Sequence, residues 1–232
     1  MVAVTPHILL ALAATAMALP ANKPTRVEAR APQFSIPTGS FGGSSSTSND
    51  VTDGVCKPVT YIFARGTTET GNMGTTVGPA LQQKLESALG ADKLATQGVN
   101  YAADVAGTVV GSVSPGQAEG SQNCAKLVKQ ALSSCPDTQI VLAGYSQGAQ
   151  QVHGCLIDLD SSSASKVAAA VTFGDPLQAQ AFKNIDSSKT KIFCATGDLV
   201  CTNQFIITPA HLSYATASTG EAAEFIQSKL SS

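Results

Sequence analysis

The sequence predicts an α/β fold, a parallel sheet with helices on both faces. Three observations carry this. Apolar runs of strand length alternate with stretches whose apolar residues recur every three to four positions. The apolar runs are nearly continuous, as strands buried on both faces require. Residues 55–232 are also enough for one domain with a sizeable core.

The elements follow in chain order. Val59–Ala64 (VTYIFA) reads as a buried strand. Residues 77–89 place Val77, Leu81, Leu85 and Leu89 four apart, on one face of a helix. A short strand is expected at 97–101 (QGVNY). Residues 121–134 repeat apolar positions at Cys124, Leu127, Val128, Ala131 and Leu132, again a helical period. Strands follow at 140–145, 167–173 and 191–196, with a helix at 147–159 after the first. Residues 221–230 close the chain as a helix, with Ala222, Phe225, Ile226 and Leu230 on one side. In such sheets, active sites gather beyond the carboxyl ends of the strands.

Charged residues make up 13% of the chain and the formal net charge is −2. A chain so low in charge is not of the charge-rich disordered class. It also has no basic field for a polyanion, so nucleic acid is not an expected partner. Residues 1–18 carry an apolar run too short to span a bilayer, ending in small residues, and are expected to be a signal peptide. Residues 19–31 read as a pro-segment. Residues 32–54, rich in Ser, Thr and Gly around PTGSFGGSSSTSND, read as a linker, which leaves 55–232 as the catalytic domain. No later segment has the length of a transmembrane helix. The expected location is extracellular.

The chemistry begins after the strand at 140–145. Gly144-Tyr145-Ser146-Gln147-Gly148 matches G-x-S-x-G between a strand and a helix, the context in which this motif presents a nucleophilic serine. Ser146 then needs a base. His7 lies in the signal peptide, and His153 sits seven residues along the following helix, about 10 Å away along its axis. His211 is left by elimination. Two carboxylates lie between Ser146 and His211 at strand ends, Asp175 and Asp198. Asp198 is preferred, because a short Cys194–Cys201 loop would hold it still. The oxyanion donors are expected at Gln147, the residue after the nucleophile, and in the loop Ala64–Gly71, where Thr67 offers an N–H and a hydroxyl. Leu199, Val200, Phe205, Ile206 and Ile207 put many apolar residues beside the Asp198–His211 pair and read as an acyl-binding rim.

All six cysteines lie within 55–232, at 56, 124, 135, 155, 194 and 201. An even count in a secreted chain implies disulfides, and spacing alone supports only Cys194–Cys201. No C-x-x-C occurs, so a metal cluster is not expected.

The segments YIFARGTTETGNMGT, LAGYSQGAQ, KIFCATGDLVCTN and TPAHLSYA make the sequence resemble the fungal cutinases over most of 56–230. That resemblance implies a three-layer α/β hydrolase with a central parallel five-stranded sheet and no large lid. It implies a catalytic triad of Ser146, Asp198 and His211 and an oxyanion hole of Thr67 and Gln147, with Thr67 where many members have Ser. It also implies disulfides Cys56–Cys135 and Cys194–Cys201, which leaves Cys124 and Cys155 to pair by default. The implied activity is hydrolysis of cutin and related aliphatic polyesters or lipid esters by a secreted monomer without metal or cofactor. Two alternatives stand beside it: an acetylxylan esterase, and an inactive secreted lipid- or glycan-binding protein.

Overall fold

The computed structural model describes residues 45–231. The expected signal peptide, the pro-segment and the first part of the linker lie outside the described residues.

Five strands, β1 (Val59–Ala64), β2 (Leu94–Gly98), β3 (Gln139–Tyr145), β4 (Val167–Phe173) and β5 (Thr190–Phe193), form one sheet. It is parallel throughout, in the order β2-β1-β3-β4-β5. Among the described residues seven α-helices accompany it: α1 (Val77–Leu89), α2 (Val105–Val113), α3 (Glu119–Ser134), α4 (Gln147–Asp158), α5 (Ser161–Ser165), α6 (Tyr214–Ala217) and α7 (Thr219–Lys229). Side chains alternate between the two sheet faces. Ile62, Ile140 and Leu142 pack with Val128 of α3 and Val152 and Leu156 of α4. Tyr61, Phe63, Val141 and Ala143 pack with Leu81 and Leu85 of α1 and Ile226 of α7. Each leucine or isoleucine buried this way contributes about 1.5–3 kcal/mol. The result is the expected three-layer arrangement.

Strand β1 and helix α1 fall on the expected residues. Strand β2 lies three residues earlier than expected. The chain leaves the sheet after Val99, whose N–H donates to Phe63 O at 2.8 Å, because the buried Arg65 then takes the Tyr101 carbonyl at 2.7 Å. Helix α2 was not foreseen. Its buried positions are Thr108 and Gly111, while Val105, Val109 and Val113 are exposed, so an apolar periodicity cannot announce it as a core helix. Asp104 caps it by accepting from Gly107 N at 2.7 Å.

Two expectations are corrected. Residues 45–54 of the expected linker are part of the domain. Asn49 bridges Gln97 in antiparallel fashion, Asp50 N donates to Thr96 O at 3.0 Å, and Val51 is buried in the core. The cause is the edge of β2, whose open backbone groups this segment satisfies, helped by the Gln97 side chain, which accepts from Val51 N and Thr52 N. Among the cysteines, Cys56–Cys135 and Cys194–Cys201 are bonded, but Cys124 and Cys155 are free, buried thiols. They lie in the core between α3 and α4, as small apolar side chains. Burial pushes the Cys155 thiol up, and the neighbouring Cys124 adds to the rise.

All four tyrosines, Tyr61, Tyr101, Tyr145 and Tyr214, have phenols raised above the ordinary value of 10.0, chiefly by burial. The folded state therefore favours their neutral form. Their contribution to stability is complete below pH 10 and is lost as pH rises above it, where the unfolded chain ionises and the fold resists. In an alkaline titration followed at 295 nm, tyrosinate should appear in one cooperative step coincident with loss of circular dichroism. A separate, earlier ionisation of the folded protein would contradict this burial.

Candidate active site

Strands β1 and β3 are neighbours, and their connections leave in opposite directions across the sheet. Beyond their carboxyl ends lies the switch point at which open α/β sheets place ligands. Ser146 follows β3 there and the loop 65–69 follows β1.

Ser146 sits at φ 57° and ψ −118°, a backbone conformation that is costly for any residue with a side chain. The surroundings enforce it. Ser146 N donates to Phe173 O at 2.9 Å, and α4 starts at the next residue. Gly148 passes so close to β1 that a Cβ there would lie 1.9 Å from the Ala64 carbonyl oxygen. The turn therefore lifts Ser146 out of the sheet into a cleft of about 530 Å³ that it shares with Thr67, Tyr145 and His211. Its hydroxyl has no hydrogen-bond partner among the described residues, and the same holds for the N–H groups of Thr67 and Gln147.

His211 is buried, and its Nδ1 lies 2.8 Å from Asp198 Oδ2. An ionised carboxylate only accepts, so Nδ1 carries the proton and Nε2 keeps its lone pair. Tyr145 holds the imidazole in two ways. Its ring stacks on His211 at 5.0 Å between centroids, and its hydroxyl donates to the His211 carbonyl at 2.9 Å. Asp198 is held in turn. Its Oδ1 accepts from Val200 N at 2.9 Å, and its Oδ2 accepts from the Tyr214 hydroxyl at 2.5 Å. The Cys194–Cys201 disulfide closes the turn that carries it.

The loop after β1 is fixed by its own polar groups. Glu69 accepts from Gly66 N at 2.8 Å with one oxygen and from Thr75 N, Thr76 N and the Thr76 hydroxyl with the other. Thr68, a β-branched residue, stands at φ 64° and donates its N–H to Ala103 O at 2.8 Å. The Thr67 hydroxyl donates to Gln147 Oε1 at 3.1 Å, and Gln147 Nε2 donates to Asp104 O at 3.1 Å. Its single proton being taken, Thr67 offers the cleft its N–H, alongside that of Gln147 at the positive end of α4.

Asp175, the rival carboxylate, lies elsewhere. It is fully buried and bonded to His153 Nε2 at 3.0 Å, to the Thr172 hydroxyl at 2.7 Å and to Leu177 N at 2.8 Å. His153 stacks on Phe182 at 4.0 Å. This second His–Asp pair is buried and ties α4 to the turn after β4. The preceding residue, Gly174 at φ 58°, lets the His211 ring lie against that turn. A Cβ on it would stand 2.6 Å from His211 Cε1.

Of the expected rim, Val200, Phe205 and Ile207 line the cleft, whereas Leu199 and Ile206 do not. Val105, Val109 and Leu212 complete the apolar lining. The sequence signal for the valines was the unusually apolar stretch beginning at Val105. Glu69 and Tyr214 lie within two of the segments that carry the family resemblance, but what each side chain holds becomes visible only through its bonds.

The model of the cutinase family matches residues 55–230. The chain belongs to the cutinase family. Cutinase 4 of Emericella nidulans is 54% identical over 171 residues, which cover 73% of this chain and 71% of that relative. The structure of a Trichoderma reesei cutinase in complex with a phosphonate inhibitor superimposes with a TM-score of 0.74 at 40% identity and covers 82% of each chain. An acetylxylan esterase superimposes with a TM-score of 0.63 at 24% identity, over 76% of this chain and all of its own, and shares the fold. As a cutinase-family member the protein is a carboxylic ester hydrolase, a serine esterase on a five-stranded α/β fold. Among its described residues no helix is long and apolar enough to cross a membrane.

Two outcomes follow from this geometry. His153→Leu should lower the unfolding free energy by about 2 kcal/mol, because Asp175 stays buried with one bond fewer, while ester hydrolysis per folded molecule stays within a fewfold of wild type. Denaturant unfolding beside a rate assay measures both. Gly174→Ala should lower kcat/KM by about 100-fold or more through displacement of His211. A full-rate Gly174→Ala variant would show that the close approach is not needed.

Proposed function

We propose that the protein hydrolyses the ester bonds of cutin and related aliphatic polyesters through Ser146, His211 and Asp198. The carrying observation is that a strained serine and a carboxylate-bound imidazole open onto one cleft with an apolar wall. His211 Nε2 takes the Ser146 proton as the hydroxyl attacks the ester carbonyl. The N–H groups of Thr67 and Gln147 stabilise the oxyanion, and the loss of one such donor costs about 2.7–4 kcal/mol of transition-state stabilisation. Asp198 keeps the proton on Nδ1 and stabilises the imidazolium. His211 then protonates the leaving alcohol, and water releases the acid from the acyl-serine.

The substrate reading rests on the apolar wall and on the cutinase relatives. Val105, Val109, Phe205, Ile207 and Leu212 are exposed around the cleft, at 69, 59, 51, 57 and 62%. An exposed apolar margin of this kind suits contact with an insoluble chain. An acetyl group would fill little of it. We further propose that residues 1–18 direct secretion and that the mature enzyme acts as a monomer. The two disulfides accord with an oxidising compartment.

A phosphonate ester should label the protein once, on Ser146, and Ser146→Ala should lose both labelling and hydrolysis. Release of hydroxy fatty acids from cutin, with butyryl esters cleaved faster than acetyl esters, supports the substrate. Release of acetate from acetylated xylan with no action on cutin would replace it with the acetylxylan reading. Absence of labelling on folded protein would remove the triad altogether.

A further inference from the structure

We propose that Tyr214 is a positioning residue of this site, whose hydroxyl shares the Asp198 oxygen that holds His211 and thereby sets the acidity at which the imidazole stops serving as a base. The inference rests on the assignment of Ser146, His211 and Asp198.

The direction of the bond is fixed by its neighbours. Ala195 N donates to the Tyr214 oxygen at 2.9 Å, and a peptide N–H has no other role. The phenolic proton is therefore free to go to Asp198 Oδ2, 2.5 Å away, the same oxygen that receives His211 Nδ1 at 2.8 Å. Tyr214 is fully buried in the core. Its ring meets Tyr145 and Phe173 edge-on, at 6.2 and 6.0 Å between centroids. A phenylalanine would fill that space equally well, so packing alone does not call for the hydroxyl. Burial, and after it the contact with Asp198, raises the phenol, which keeps its proton throughout the working range of an esterase.

A donor bonded to Asp198 Oδ2 takes up part of the charge that would otherwise hold a proton on the imidazole. Removing it leaves the carboxylate to Val200 N and His211 and strengthens its pull on the imidazolium. The other groups facing His211 do not duplicate this effect. Tyr145, from the end of β3, stacks on the ring and donates to the His211 carbonyl rather than to Asp198. Glu69 lines the same cleft, but its oxygens are occupied by Gly66, Thr75 and Thr76. The turn after β4 presents Gly174, and the carboxylate of the next residue, Asp175, is turned to His153.

The test is the pH profile of kcat/KM on a soluble p-nitrophenyl ester, with full-length protein and with active sites counted by phosphonate titration. Tyr214→Phe should move the acid limb to higher pH by about one unit, a tenfold change in the proton equilibrium. Replacing Tyr214 with a ring-fluorinated tyrosine, a stronger donor of nearly the same shape, should move the limb to lower pH. That second protein carries the test if the phenylalanine variant does not fold. Opposite displacements support the proposal. Unmoved limbs, with or without a lower plateau, in proteins that still titrate with phosphonate mean that Tyr214 is only packing, and overturn it. A wild-type protein that phosphonate does not label at Ser146 would overturn the underlying triad instead, a result distinguishable from the first.

Discussion

The site depends on the close approach of two backbones. Helix α4 begins immediately after β3 and runs past the end of β1 with only a hydrogen of Gly148 between them. That contact forces Ser146 into a conformation it would not adopt in an unfolded chain, and the Phe173 carbonyl holds it there. The same approach brings the start of α4 beside the loop after β1, where the Thr67 hydroxyl reaches the Gln147 side chain. The proposed nucleophile and oxyanion donors are thus consequences of one packing event. The proposed general base is assembled separately, on the turns after β4 and β5 and on the segment between β5 and α6.

These two halves differ in how they are held. The nucleophile half is held by main-chain geometry and by an absence of side chain. The base half is held by hydrogen bonds among side chains: Asp198 with His211 and Tyr214, and Tyr145 with the His211 carbonyl. The second arrangement is adjustable, since each donor changes the charge left on Asp198. The first is close to all-or-none.

That difference also explains what was legible in the sequence. Ser146 was readable because its conformation demands a local pattern, G-x-S-x-G between strand and helix. His211 was proposed by elimination and Asp198 from its place in a short cysteine loop, and the fold brings the two into one hydrogen bond. The parallel sheet was readable because its strands are nearly uninterrupted apolar runs. Tyr214 and Glu69 were not, because a buried tyrosine or a loop glutamate carries no periodicity, and their roles exist only in bonds between distant segments. Helix α2 was hidden for a related reason. It is attached to α4 by Gln150 Nε2, which donates to the Ser112 hydroxyl, and by Gln147 Nε2, which donates to the carbonyl of its cap Asp104, and it turns its valines outward, the reverse of the pattern that a core-facing helix writes into a sequence. The segment 45–54 has a linker's composition, yet its backbone groups find partners along β2.

The binding of that segment bears on how copies behave when crowded. An open β-edge is a template on which a second molecule can add a strand, and crowding at a solid boundary favours such pairing. Here Thr96 and Gly98 on the outer edge of β2 already bond to Ser48 and Asp50 of the same chain. At the opposite margin β5 is only four residues long and carries Lys191, paired with Glu221 at 2.5 Å. Each margin of the sheet thus carries a feature that discourages strand addition by a second molecule where many copies crowd one surface.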